Sequence, residues 1–181
     1  GFFKVEASDY TDDVFNETAD ITLGDAWLPE YVNDSLGNNV IIVRNPIIYE
    51  LIENARTESR VKLDVIGVEK IFQSQSSHYN HTHNLLSYRL YLKEKKGINI
   101  PKKRVKSDKN FSLTTKLIQK KRIEISKKSH KLYYRALKMD SFDFFLNRMQ
   151  RLQKAYNYLY KLKYLREMGF RGLVSKLFKK S

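Results

Sequence analysis

The chain has 181 residues, with 34 Lys+Arg, 20 Asp+Glu and no Cys. That length fits one domain, or one domain with an appendage, and 41% apolar residues with 13% aromatics suffice for a core. The missing thiols exclude disulfides, thiolate zinc sites, cysteine nucleophiles and any iron–sulfur cluster ligated by this chain.

No apolar run approaches the roughly 20 residues that span a bilayer. The opening Gly1-Phe2-Phe3-Lys4-Val5-Glu6 lacks the pattern of a secretory leader, so a cytoplasmic location is the expectation. The formal net charge of +14 is unevenly spread: −8 over residues 1–60, +3 over 61–100 and +19 over 101–181. This division predicts an acidic front and a basic tail. The tail would attract phospholipid, nucleic acid or the acidic front, and charge alone does not choose among them.

Residues 6–20 read as loop. Ile21-Thr22-Leu23 is a short strand ending at Gly24-Asp25, and the β-branched run Val40-Ile41-Ile42-Val43 is a second strand after the turn-rich Leu36-Gly37-Asn38-Asn39. Asn45-Pro46 reads as an N-cap followed by Pro at the first helical position. Ile47, Ile48, Leu51, Ile52 and Ala55 then mark an amphipathic helix. The alternation in Val61-Lys62-Leu63-Asp64-Val65-Ile66 predicts a third strand, and a helix is expected from Val68 to about Ser74.

The Lys-rich stretch 93–110, with Pro101 inside it, reads as an exposed linker. Ser112 caps a helix carrying Leu113, Leu117 and Ile118, with Leu132, Tyr133, Ala136 and Leu137 further on. Met139-Asp140-Ser141 is a break. A final helix runs from about Phe142 to Met168, interrupted by Gly169 and Gly172. The predicted fold class is therefore α/β: a small mixed sheet with flanking helices in the front half, followed by a basic helical C-terminal extension.

Several clusters carry two readings. Gly24-Asp25-Ala26-Trp27 either lets a ligand approach the glycine backbone, with Trp27 as a stacking surface, or is a turn with Trp27 in the core. Asp12, Asp13, Glu17 and Asp20 read as solvated carboxylates rather than a cation site. His78, His81 and His83 form His-x-x-His-x-His without an evident fourth ligand, so no metal site is predicted. Lys102-Lys103-Arg104 and Lys120-Lys121-Arg122 resemble nucleic-acid patches, but no nucleic-acid fold motif accompanies them and nucleic acid is not the favoured partner. Residues 170–181, basic with Phe170, Leu173, Val174, Leu177 and Phe178, suit contact with an anionic membrane surface.

The stretch Ser8-Asp9-Tyr10-Thr11 together with Glu17-Thr18-Ala19-Asp20-Ile21-Thr22-Leu23-Gly24-Asp25-Ala26-Trp27 resembles the coenzyme F420 hydrogenase/dehydrogenase beta-subunit family. That family carries Cys-x-x-Cys-x-Asp and then Glu-x-Ala-Asp-Ile-x-x-Gly-Asp-Ala-Trp. Asp34-Ser35-Leu36-Gly37 and Val40-Ile41-Ile42-Val43-Arg44 resemble its following turn and strand. Leu28-Pro29-Glu30-Tyr31 looks like the branch found beside bacterial polysaccharide-synthesis genes.

The resemblance implies that the chain is the C-terminal part of a longer flavin-dependent oxidoreductase, with FAD or FMN as cofactor and a redox partner protein. It also implies Gly24, Asp25, Trp27 and Arg44 as cofactor-binding residues, and names no catalytic residue. The division expected from it is a beta-subunit-like domain over 1–92, a basic linker over 93–110 and a basic helical extension over 111–181. The family's two cysteines fall on Ser8 and Thr11, whose hydroxyls do not replace thiolates as soft iron ligands. The alternative is a non-catalytic adaptor, peripheral to a membrane or assembly and docked through the basic tail.

Overall fold

Side-chain caps start two of the helices, and residues of positive φ follow two helix ends, Ser59 after the first and Asp140 before the last. The computed structural model describes the backbone of residues 1–178 and the side chains of residues 1–167. It divides into two units, residues 11–84 and residues 1–10 with 85 onward.

In the first unit β1 (Ile21–Asp25) and β2 (Asn39–Val43) form a two-stranded antiparallel sheet, with Ile21 opposite Val43 and Asp25 opposite Asn39. The Asn45 side chain then accepts from the N–H groups of Ile47 and Ile48, with Pro46 in the first turn, and starts α1 (Pro46–Thr57). This arrangement satisfies donors that no helical carbonyl can reach. α2 (Val68–Thr82) follows, well beyond the expected Ser74.

The α/β class with a helical C-terminal part holds; in detail the sheet is two-stranded and antiparallel rather than mixed, and residues 61–66 are not a strand. Alternation alone does not make a strand; a neighbouring backbone must pair with it. Here the segment is held by a side chain instead, the Tyr31 hydroxyl donating to Asp64 Oδ2 at 2.9 Å.

The second unit begins with a 3-10 helix at Glu6–Tyr10, inside a stretch expected to be loop. It continues with α3 (Leu86–Glu94), α4 (Leu113–Lys138) and α5 (Phe142–Phe178). Ser112 accepts from the Thr115 N–H at the start of α4. The break at Met139–Ser141 is centred on Asp140, whose φ of 46° ends the helical path. α5 runs through Gly169 and Gly172, which lower helix propensity by about 1 kcal/mol each without requiring a break.

Ile125 and Ala136 of α4 pack on Phe145 and Met149 of α5. Phe3 joins them, stacked on Phe145 at 5.6 Å. The chain's first residues are tied to α4 by serines: Phe3 N–H donates to Ser129 Oγ at 2.8 Å, and Ser126 Oγ donates to the Lys4 carbonyl at 2.8 Å.

Arg89 of α3 is fully buried. Its Nε and Nη2 donate to the Asp9 carbonyl at 3.1 and 2.9 Å, and Nη1 donates to Gln119 Oε1 at 3.0 Å. Burial lowers its pKa to about 10, still well above neutrality, so the cation persists. Replacing Arg89 with Leu leaves both acceptors without this donor, and we expect a loss of about 3 kcal/mol or more in urea unfolding; a loss below about 1 kcal/mol would mean that the guanidinium does not organise this unit.

Glu6 receives hydrogen bonds from Lys93 at 2.8 Å and from Lys127 at 3.4 Å. Its pKa is lowered, first by the Lys93 hydrogen bond. The unfolded chain therefore takes up the Glu6 proton at a higher pH than the native one. The stabilisation is complete above the ordinary Glu range and is lost as pH falls through the lowered native pKa. Glu6→Gln should accordingly be less stable than the parent at pH 7, by under about 1 kcal/mol for so exposed a pair, and the difference should vanish in strong acid.

Candidate functional site

β1 ends in a corner that presents Asp25 and Trp27 to solvent. The Trp27 indole is 64% exposed, so it is not core. The corner is fixed from α2. Ser74 Oγ accepts from the Trp27 N–H at 3.0 Å and donates to the Asp25 carbonyl at 3.2 Å, and Gln75 Nε2 donates to the same carbonyl at 2.8 Å. Ala26 and Leu28 alternate inward and are buried, anchoring the segment on either side of the exposed indole. At Gly24 an added Cβ would meet one atom within 4 Å, Gln75 Nε2 at 3.9 Å. The backbone there is open to close approach.

Asp25 and Trp27 therefore share the outward face, Gly24 turns the place of its side chain toward α2, and Arg44 does not join them. Gly24 pairs with Val40, and Arg44 lies four residues beyond Val40, about 13 Å along the strand. There its Nη1 donates to the Ala19 carbonyl at 3.0 Å and to Thr22 Oγ1 at 3.1 Å, and Nη2 donates to the Phe15 carbonyl at 2.7 Å. These bonds fasten the loop before β1 to the end of β2. Arg44 also reaches Thr22 on the face of the hairpin away from Asp25 and Trp27, so it takes no part in the corner.

A groove of about 300 Å³ opens on β2, α1 and the extended residues 62–66. Its apolar wall includes Val40, Ile52, Leu63 and Ile66, and Glu53, Arg56 and Lys62 contribute charge. The Tyr31–Asp64 bond joins two of its lining residues. The volume is at the lower end for small-molecule sites. Of the Gly-Asp-Ala-Trp corner, Ala26 alone lines it. The sequence does not reveal this groove, because the apolar side chains of 61–66 read as one face of a strand.

The remaining candidates are placed as follows. Ser8 Oγ donates to the Val5 carbonyl at 2.7 Å in the 3-10 helix. Asp13 accepts from the Glu17 N–H at 3.1 Å, and Asp20 Oδ1 accepts from Asn45 Nδ2 at 3.0 Å. His81 is buried in α2, whereas His83 is the residue after that helix and stacks on Tyr79 at 4.0 Å. Among the described residues no group of three His, Asp or Glu is arranged to hold a metal. Also among them, no helix is long and apolar enough to cross a membrane. The side chains of the expected interfacial stretch 170–181 lie outside the described residues.

No curated protein and no solved structure matches the chain. Residues 3–68 match the family model that describes the C terminus of the coenzyme F420 hydrogenase/dehydrogenase beta subunit. The match contains the whole corner, both strands, Arg44 and α1, and it agrees with the resemblance carried by Ala19-Asp20-Ile21 and Gly24-Asp25-Ala26-Trp27. Residues 3–68 are thus a segment similar to the C-terminal part of that beta subunit.

Proposed function

We propose that residues 11–84 supply part of a flavin site in an oxidoreductase resembling the coenzyme F420 hydrogenase/dehydrogenase beta subunit. The observation that carries this reading is the exposed indole of Trp27 on the same side of the segment as the solvent-facing carboxylate of Asp25. An aromatic face with a hydrogen-bond acceptor at its edge suits a planar heterocycle with ring N–H groups.

Trp27 would stack on the ring, Asp25 would accept from a ring N–H or a ribose hydroxyl, and Ser74 and Gln75 would hold the corner rigid. Preorganisation by these two residues lowers the cost of ordering the indole on binding. Arg44, on the other face and bonded to three oxygens of the chain, would hold the hairpin rather than the flavin. The bound flavin supplies hydride and one-electron chemistry. In this reading a redox partner protein delivers or removes electrons, and Ser8 and Thr11 contribute no iron ligation. The Leu28-Pro29-Glu30-Tyr31 resemblance points to surface-polysaccharide synthesis as the setting.

Trp27 is the single tryptophan, so its emission reports on this corner alone. Titrating FAD or FMN into the protein should quench that emission saturably. Asp25→Ala should weaken binding at least tenfold while leaving the circular dichroism unchanged. Absence of saturable quenching by either flavin, with none retained on gel filtration, would remove the basis of the reading.

A further inference from the structure

The α4–α5 hairpin has features that the oxidoreductase reading does not use. Residues 113–167 carry 15 Lys+Arg against 4 Asp+Glu. A cavity of about 490 Å³ between the two helices is lined by Lys128, Lys131, Arg135, Arg148 and Arg151, over a floor of Leu132, Phe144 and Leu152. Lys128 pairs with Glu124 at 2.6 Å, and the Arg148 guanidinium lies 5.7 Å from the centre of the Phe144 ring. Among the described residues no carboxylate lines the cavity.

Large apolar side chains stand exposed around the hairpin's turn. Tyr134, Leu137, Met139 and Phe142 are each 58–61% exposed. Lys138 sits 4.6 Å from the centre of the Tyr134 ring, so its stem lies along the aromatic face. Asp140 and Asp143 are the two carboxylates of this end. Asp143 occupies the first turn of α5, where it balances the helix dipole.

We propose that the α4–α5 turn is a docking element for an anionic phospholipid bilayer. Leu137, Met139 and Phe142 would enter the interface while Lys131, Arg135, Arg148 and Arg151 hold lipid phosphates. Charge complementarity selects this occupant. An apolar tip alone would suit any apolar partner, but one backed by cations one to three turns up the hairpin suits a surface that is apolar below and anionic above. The assignment is independent of the flavin reading and places the contact in the hairpin rather than at residues 170–181.

The test uses the full chain and sedimentation with phosphatidylcholine vesicles, with or without phosphatidylserine. Binding should require phosphatidylserine and weaken with added salt. The triple variant Arg135→Glu, Arg148→Glu, Arg151→Glu should lose binding by more than about 100-fold, since each cation near an anionic lipid contributes roughly fivefold. Reversing Lys176, Lys179 and Lys180 to Glu should cost much less.

A second readout guards against misfolding of the triple variant. Phe142→Trp in a Trp27→Phe background should shift its emission to the blue on anionic vesicles. The proposal is overturned if zwitterionic vesicles bind equally, if the tail reversal abolishes binding while the hairpin reversal spares it, or if the emission of the introduced indole does not move. It is equally overturned if soluble phosphate or inorganic diphosphate displaces the protein at stoichiometric amounts, which would indicate a headgroup pocket without insertion. A dimer that depends on Phe142 in place of vesicle binding would assign the tip to a second copy and reject the bilayer.

Discussion

The buried guanidinium of Arg89 organises the second unit. It lies at the meeting point of the 3-10 helix, α3 and α4, and donates to an acceptor from each neighbour. Burying a guanidinium costs several kcal/mol unless its donors are satisfied and its charge is answered. The Asp9 carboxylate provides charge compensation nearby and is itself paired to Lys4 at 2.6 Å. The chain's first ten residues are therefore not an appendage. They complete the environment that lets α3 be buried, and Phe3 then closes the core between α4 and α5.

The first unit uses a different device. Its sheet is too small to bury much, and Leu23, Trp27, Ile47 and Leu51 remain exposed. Polar side chains fix the chain path in place of a large core. Arg44 gathers two loop carbonyls and a threonine hydroxyl, Asn45 caps α1, and Ser74 with Gln75 holds the end of β1. Such fixing positions a short segment accurately without covering its side chains. This is why the Trp27 indole can be both well placed and solvent-exposed.

How much of this was legible in the sequence depends on the range of each interaction. Asn45-Pro46, Ser112 and the break at Met139–Ser141 act on donors and dihedrals within a few residues, and each appears where its residue types require. α3 gave no such signal. Leu86, Ser87, Tyr88, Arg89 and Leu90 are all buried, so the helix has no amphipathic stripe to read. Its buried arginine is explained by Asp9, eighty positions away. Residues 61–66 failed in the opposite sense: a clear alternation lacked a strand partner. The corner at Gly24 was visible as a motif, but whether its tryptophan faced core or solvent depended on Ser74, which no local rule connects to it.

The helical hairpin poses a remaining energetic question. Lys127 and Lys131, and Lys131 and Arg135, are like charges one turn apart on α4, an arrangement that disfavours the helix by a few tenths of a kcal/mol per pair. Glu6 offsets part of this through Lys127 at 3.4 Å, and salt screens the remainder. The exposed apolar side chains at the turn add surface that folding leaves unburied. Neither feature stabilises the α4–α5 core, which rests on Ile125, Ala136, Phe145 and Met149. Cation repulsion and an uncovered apolar tip are both relieved by one kind of environment, in which phosphates neutralise the flanks while hydrocarbon accepts the tip. A purely aqueous or a purely apolar setting would relieve one and leave the other.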